Sequence, residues 1–273
     1  MTALAAASVE RLAALRLADD EAALWWLGQS TFLLRFRSAT VFVDPYLAPH
    51  PDRLVPPAFA PEDARGLDVV AITHDHLDHL DAESLPGIAA ASPGATFVAP
   101  APVVERIVGL GVSSDRVAGL QQGESVERAG IRIHAVTASH ADDAADGYGF
   151  YGGAFLGFVF DGGVRIYHAG DTIPYDGLAE SVSALRPHVA LLPINGRDAE
   201  RESQGIAGNL DEREAAELAA AAGAELLVPM HYDMFAANPG SPAKLVEIVR
   251  RDHPSLAVLV ATRDRPFVFR SAG

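Results

Sequence analysis

The chain has 273 residues, of which 49% are hydrophobic and none is cysteine, and its formal net charge is −15. The lack of cysteine excludes disulfides, thiolate metal ligands and a cysteine nucleophile. The 36 acidic residues outnumber the 21 basic ones, and this negative charge disfavours a nucleic-acid partner because it repels phosphates. No apolar run reaches the roughly 18 residues that a membrane span needs.

The N-terminal residues predict an amphipathic helix. The apolar residues spaced for one helix face are Leu4, Ala7, Leu12 and Leu15. Glu10 interrupts the apolar stretch, which a secretory signal would keep continuous. We therefore expect a cytoplasmic protein without membrane association, in which this helix is available for a homo-oligomer interface.

The rest of the chain alternates short apolar runs with helical stretches. Strands are predicted over 22–27, 31–37, 40–43, 67–73, 96–99, 131–136, 155–160, 164–167, 189–192, 225–228, 258–260 and 267–269. Helices are predicted over 82–91 with a break at Pro86-Gly87, 102–109, 176–185, 211–222 with Asn209 or Asp211 as N-cap, and 241–250. Two strand-rich halves, each followed by helices, predict an α+β fold of four layers, an αββα sandwich, formed by residues 1–273 as a single domain.

A cluster of metal-ligand residue types follows the strand predicted over 67–73. The segment His74-Asp75-His76-Leu77-Asp78-His79 has the form His-x-His-x-Asp-His. Imidazole fills a core poorly and is costly to bury without a partner, so packing does not explain the cluster. Imidazole and carboxylate ligands suit zinc, manganese or iron. The segment therefore predicts metal ligation by His74, His76, Asp78 and His79.

Three more residues of ligand type each follow a later strand. They are His140, Asp171 and His231. Alone, each histidine would more often be a surface or hydrogen-bonded residue, and the aspartate a turn or cap residue. Strand ends on one side of a sheet converge, however, so that separate loops can point into one cleft. We predict that all three are ligands, with His168 as a candidate supporting residue.

In this order, these motifs resemble the metallo-β-lactamase-fold hydrolases over nearly the whole chain. The segment 26–32 and Val43-Asp44-Pro45 are similar to the first hairpin of that superfamily. Within it, residues 73–76, 168–172 and 231–235 with Asn238 resemble the group related to L-ascorbate-6-phosphate lactonase. The resemblance implies an αββα sandwich with two metal positions at one edge of the sheets.

The resemblance also implies a division of the ligands between two divalent cations. His74, His76 and His140 would hold the first, Asp78, His79 and His231 the second, and Asp171 would bridge them. We expect zinc or manganese, with iron also compatible. Such a pair lowers the pKa of a bridging water from about 15.7 toward roughly 7, and the hydroxide would attack the substrate. Asp78, which would steer the water and take its proton, and Asp171 are the catalytic candidates.

Four residues after the strand predicted over 189–192 are candidate substrate contacts. They are Asn195, Arg197, Arg201 and Asn209. Asn195 would donate to an oxyanion, and Arg197 would pair with a phosphate or carboxylate. The alternative is a turn with a surface salt bridge. The expected substrate is a small, anionic, sugar-derived lactone or ester.

Two other functions stay open. The first is a phosphodiesterase or phospholipase-type hydrolase. The negative net charge and the single lysine disfavour a nuclease. A phospholipase would need an exposed apolar entrance to its site. A non-catalytic metal-binding sensor is the second, which the complete ligand set disfavours. The glycine-rich stretch 147–153, with Tyr148, Phe150 and Tyr151, is either a mobile flap or a segment leading into the core.

Overall fold

Two seven-stranded sheets dominate the computed structural model, which describes residues 9–272. The strand order is β14-β1-β2-β3-β4-β5-β6 in the first sheet and β13-β12-β11-β10-β9-β8-β7 in the second. The first sheet consists of β1 (Glu21–Trp26), β2 (Phe32–Arg35), β3 (Thr40–Val43), β4 (Val69–Ala71), β5 (Thr96–Pro100), β6 (Val117–Leu120) and β14 (Phe267–Arg270). The second consists of β7 (Ser125–Arg128), β8 (Ile131–Thr137), β9 (Leu156–Gly162), β10 (Val164–His168), β11 (Val189–Pro193), β12 (Leu226–Met230) and β13 (Ala257–Val258).

Helices cover the outer faces of both sheets. The α-helices are α1 (Leu85–Ala91), α2 (Val104–Gly109), α3 (Leu178–Ala184), α4 (Ala199–Glu202), α5 (Glu212–Ala221) and α6 (Pro242–Asp252). Short 3-10 helices span Pro61–Asp63, Ala101–Val103, Ser114–Arg116, Ala144–Asp146 and Tyr151–Gly153. Residues 9–13 are also helical, so the predicted N-terminal helix ends before Leu15, and its part before residue 9 lies outside the described residues. Among residues 9–272, every helix is too short or too polar to cross a membrane.

The alternation of side chains along β1 shows how the four layers are built. Leu24 and Trp26 point into the core that the two sheets share, whereas Trp25 and Leu27 pack in a second core on the outer face. Successive strand residues face opposite sides, so a strand that is apolar throughout requires cover on both faces. This confirms the predicted αββα sandwich.

Helix α1 differs from its prediction. It begins at Leu85 and continues through Pro86 and Gly87. Proline is tolerated there because the first turn has no intrahelical partner for its missing N–H. A Cβ on Gly87 would lie 2.8 Å from Cβ of Pro61, so glycine permits close packing against the neighbouring 3-10 helix. The predicted break was wrong.

Other boundaries reflect local chemistry that apolar patterns do not report. Asp211 caps α5 and forms a capping box with Glu214, so Asn209 is not the cap. Strands β6 and β7 were not predicted, because they are short and only partly buried at a sheet edge. Helix α4 was also missed, since it has four residues and starts at the Asp198 cap.

The topology brings the predicted ligands to one edge. Strands β10, β11 and β12 are parallel, and β8 runs in the same direction because β9 is antiparallel to both β8 and β10. Their carboxyl ends therefore lie together. In the first sheet, the segment after β4 joins this edge, where Leu156 N donates to Thr73 O over 3.0 Å.

Candidate metal centre

The segment after β4 places three histidines and Asp78 at the mouth of the shared core. His74 and His79 are buried, and His74 Nε2 lies 3.0 Å from His76 Nδ1. Thr73 Oγ1 lies 3.0 Å from His74 Nδ1, so the strand end itself orients the first imidazole. Alternation on the extended segment sends His74 and His76 to one side, as the sequence predicts.

The predicted ligands converge in three overlapping groups, one of which, His74, His79 and Asp171, shares residues with the other two. The first ligand group is His74, His76 and His140, and the second ligand group is Asp78, His79 and His231. Within each group, one ligand atom from every residue lies within 4.8 Å of the others. These two groups contain the same residues as the two sets that the resemblance implies.

Asp171 lies between the two groups. Its Oδ1 is 3.3 Å from His79 Nε2, and its Oδ2 is 3.1 Å from His231 Nε2 and 3.6 Å from His140 Nε2. The turn that carries it is tight, because a Cβ on Gly170 would lie 2.8 Å from Thr73 Cβ. A carboxylate in this position can contact cations on both sides.

Several buried polar atoms in this cavity need a partner. His76 Nε2, His79 Nε2, His140 Nδ1 and Asp171 Oδ1 have no hydrogen-bond partner among the described residues. The 3.3 Å approach of His79 to Asp171 is not aligned as a hydrogen bond. Buried polar atoms normally have a hydrogen-bond partner. Bound cations would be partners for nitrogen and oxygen atoms that lack one here. The side chains therefore fit divalent metal ions.

The electrostatics differ between the groups. Burial lowers the pKa of His74 well below its usual range and that of His140 to about 3, so both are neutral, the form that ligates metals. Burial also acts to lower the pKa of His231, but Asp171 and Asp78 outweigh it and raise this pKa to about 9. For Asp171, burial raises the pKa, yet His231 and His79 hold it well below its usual range. The carboxylates of Asp78 and Asp171 thus stabilise a positive charge at the second group, and His231 would have to release its proton to bind a cation there.

Asp44 supports the second group from behind. It is fully buried in the loop after β3, and its Oδ2 lies 2.8 Å from His79 Nδ1. The same carboxylate accepts hydrogen bonds from Thr73 N and Thr73 Oγ1, over 2.8 and 2.7 Å. A carboxylate hydrogen-bonded to one ring nitrogen fixes the orientation of the imidazole and leaves the other nitrogen free to bind a metal.

Gln29 reaches the second group from the β1–β2 turn. Its Nε2 donates to Asp78 Oδ2 over 2.7 Å and lies 3.0 Å from His231 Nε2. Gln29 is 2% exposed and has a positive φ of 52°, which is uncommon for a non-glycine residue. The sequence places Gln29 only in a hairpin turn. Its partners, a half-buried aspartate 49 residues away and a buried histidine 202 residues away, leave no local signal.

Three of the predicted substrate contacts join a hydrogen-bond chain that ends at Asp171. Asn209 Nδ2 donates to Asp171 Oδ2 over 3.0 Å and to Asn195 Oδ1 over 3.2 Å. Asn195 Nδ2 and Arg201 Nη1 both donate to Asn238 Oδ1, over 2.9 and 2.8 Å. These contacts make Asn195, Asn209 and Arg201 positioning residues for the proposed bridging carboxylate, and substrate binding by them stays a prediction.

Arg197 is engaged elsewhere. Its guanidinium forms a two-point ion pair with Glu214, both contacts being 2.7 Å, and donates to Asn209 O over 2.9 Å. This geometry agrees with the alternative, a turn with a salt bridge. A role in substrate binding would require Arg197 to leave Glu214.

His168 supports the turn rather than the ligands. It is buried, its Nε2 lies 2.8 Å from Ser30 O, and Gly170 N donates to its Nδ1 over 3.2 Å. His168 thereby links the β1–β2 turn, which carries Gln29, to the turn before Asp171.

The glycine-rich stretch lies beside the first ligand group. Phe150 and Tyr151 are exposed, so the interpretation that they lead into the core was wrong. Tyr148 is held by hydrogen bonds to Glu202 and Gly208 N. Phe155, just after the stretch, packs against the imidazoles of the first group.

A cleft of about 630 Å³ opens next to the second ligand group. Its lining includes Leu54, Leu77, Asp78, Ile206, Phe235 and Asn238. We call this cavity the Asp78 cleft. Its apolar side chains come from the loop after β3, the ligand segment and the loops after α4 and β12, so one wall adjoins a proposed metal ligand.

Comparison with known proteins gives matches over most of the chain. Residues 39–232 match the family described as a beta-lactamase superfamily domain. A UPF0173 metal-dependent hydrolase of Methanoculleus marisnigri is 35% identical over 240 residues, covering 87% of this chain and 92% of the relative. One of Rubrobacter xylanophilus is 32% identical over 225 residues, covering 80% and 84%.

A solved structure supports the fold. Igni18, described as a novel metallo hydrolase from the hyperthermophilic archaeon Ignicoccus hospitalis, superposes with a TM-score of 0.72 at 23% identity, covering 92% of this chain and 99% of the other. At this identity, the likeness supports the fold alone.

Proposed function

The chain belongs to the beta-lactamase superfamily and to the UPF0173 metal-dependent hydrolases, and from this premise we propose that it hydrolyses a lactone or ester with two divalent cations. Metal-dependent hydrolysis follows from the family. The number of ions and the bond cleaved are our proposal. The observation that carries it is the convergence of two ligand groups on either side of Asp171.

Each side chain has a defined task in this proposal. The first ligand group would hold one zinc or manganese ion, the second would hold another, and Asp171 would be a ligand available to both. Asp44 and Gln29 keep His79 and Asp78 oriented. When bound, such ions lower the pKa of water toward about 7 and polarise the bond to be cleaved.

Asp78 is the proposed proton acceptor. It lies at the boundary between the ligand cavity and the Asp78 cleft, and its Oδ2 is 3.4 Å from His231 Nε2. A carboxylate there can orient the attacking water and take up its proton. Asn195 and Asn209 keep the opposite carboxylate, Asp171, in place through their hydrogen bonds.

The proposed substrate class rests on the resemblance to the group related to L-ascorbate-6-phosphate lactonase. The expectation of an anionic sugar substrate relied on an arginine facing the cleft. Arg197 is instead paired with Glu214, so this reason has lost its support. Anionic sugar lactones remain one arm of the assay.

The test is an activity panel on protein of known metal content. The purified chain is stripped with a chelator, reloaded with zinc or manganese, and assayed on sugar lactones, their phosphates and uncharged esters. We expect turnover only after reloading, and none in His74→Ala/His79→Ala. Failure of the loaded protein on every lactone and ester would remove the proposed substrate class, and two bound ions without any turnover would favour a sensor.

A phosphodiester substrate is the second candidate. Leu54 and Leu77 are exposed at the Asp78 cleft, which is the apolar entrance that a phospholipase-type hydrolase requires. Hydrolysis of bis-p-nitrophenyl phosphate at rates comparable to the esters would favour this candidate. Rates far below those of the esters would eliminate it.

A further inference from the structure

The Asp78 cleft has a chemical character of its own. Leu54 is 62% exposed and Leu77 is 57% exposed, although both are large and apolar. Ile206 and Phe235 contribute further apolar surface to the same cleft. Exposed apolar side chains that gather in one concave site mark a binding surface.

We infer that the Asp78 cleft binds an uncharged alkyl or aryl group of the substrate, and that Leu54 and Leu77 determine specificity. This inference rests on the proposed function, because the cleft matters for catalysis only if hydrolysis occurs beside Asp78. The substrate class is then a small ester or lactone with an apolar substituent, rather than a phosphorylated sugar.

The position of the cleft supports a substrate rather than a protein partner. Leu77 immediately precedes Asp78, so an apolar group against Leu77 lies next to the second ligand group. The volume of about 630 Å³ is within the range of small-molecule sites, roughly 300–1,000 Å³.

The cations around the cleft already have partners. Arg53 donates to the carbonyls of Val55, Tyr46 and Ala48 over 2.9, 3.2 and 2.9 Å, and its guanidinium stacks 4.3 Å above the Tyr46 ring. Arg201 is bonded to Asn238. These contacts hold the guanidinium of Arg53 on one wall of the cleft, whereas most of the remaining wall is apolar and offers an anionic substituent no partner.

The first experiment is a substrate series. Uncharged p-nitrophenyl esters from acetate to hexanoate are compared with a p-nitrophenyl ester whose acyl chain ends in a carboxylate. Burying a methylene predicts a rise in kcat/KM of about threefold per added carbon until the cleft is filled. We expect the carboxylate-bearing ester to be at least about tenfold poorer than the uncharged ester of equal length.

Matched variants locate the effect. In Leu54→Ser and in Leu54→Ser/Leu77→Ser, the dependence on chain length should flatten, and Leu54→Phe should preserve it. Val260→Ser is the control, since Val260 is also an exposed apolar residue, at 43%, and lies outside the cleft lining. Metal content is measured for each variant, so that a loss of ions is not mistaken for a loss of specificity.

A binding readout separates this inference from the proposed function. The neutral fluorescent probe N-phenyl-1-naphthylamine should bind the metal-loaded chain and Val260→Ser alike, and bind Leu54→Ser/Leu77→Ser at least about threefold more weakly. Equal binding to all three, or a flat or reversed ester series, overturns the inference and leaves the hydrolase intact. Normal probe behaviour without hydrolysis of any ester or lactone contradicts the proposed function instead.

Discussion

The first and second ligand groups lie in one cavity but differ in the residues that hold their side chains in place. The first consists of imidazoles alone, and its partly exposed member, His76, faces the exposed Asp142 at 3.4 Å. The second contains a carboxylate and is held from behind by Asp44 and Gln29. Hydrogen bonds that fix ligands strengthen metal binding, so we expect the second group to bind its ion more tightly.

The largest effect is expected for Asp171→Ala, which removes the residue that both groups share. Metal and turnover should be lost together, turnover by at least about 10³-fold, because Asp171 would serve both ions. Metal analysis and kcat measure this. Asp176→Ala, an exposed aspartate five residues later, is the control. Two equivalents bound normally in Asp171→Ala would refute the bridging assignment.

Asp78→Asn should affect metal binding by the two ligand groups differently. We expect the first group to keep its ion, while kcat falls by about 10²- to 10⁴-fold, since the amide cannot accept the proton. Titration with metal and steady-state kinetics on the same preparation test both parts. Unchanged turnover would show that another group takes the proton.

Asp44→Asn tests the support of the second group alone. Loss of the charged contact to His79 should weaken the second ion about 10- to 100-fold and change the first much less. Asp68→Asn is a matched control, because Asp68 also accepts a backbone N–H, from Thr40, over 2.8 Å. Equal weakening of both ions would contradict a difference in support.

The smallest effect is expected for Gln29. Gln29→Gly removes the amide and also suits the positive φ, so the free energy of unfolding should change by no more than about 1 kcal/mol. Activity should fall by roughly tenfold with both ions retained, because Asp78 loses one orienting bond. Gln122→Gly, at an exposed position, serves for comparison. Full activity in Gln29→Gly would remove Gln29 from the site.

The sequence could predict the ligand residues because their signal is local. His74, His76, Asp78 and His79 follow one buried strand within six residues, and the later ligands each follow another. Strand ends at one edge must converge, and the apolar runs predicted the strands of both sheets except β6 and β7. The chemistry and layers were therefore accessible from residue order.

The contacts that orient the predicted metal ligands, and the cleft beside them, are formed by residues distant in sequence. Gln29 contacts His231 across 202 residues, and helix α4 and the loop before α5 lie between Arg197 and Glu214. The Asp78 cleft is assembled from loops whose residues include Leu54, Ile206 and Phe235. None of these contacts leaves a periodic or motif signal, so the salt bridge of Arg197 was only one of two alternatives, and the apolar cleft was not predicted.

Anomalous diffraction at the metal absorption edges, on crystals of the reloaded chain, tests the central claim most directly. The account predicts two peaks, one against His74, His76 and His140 and the other against Asp78, His79 and His231, with Asp171 contacting both. A single peak, or His140 or His231 turned away from its group, would contradict it.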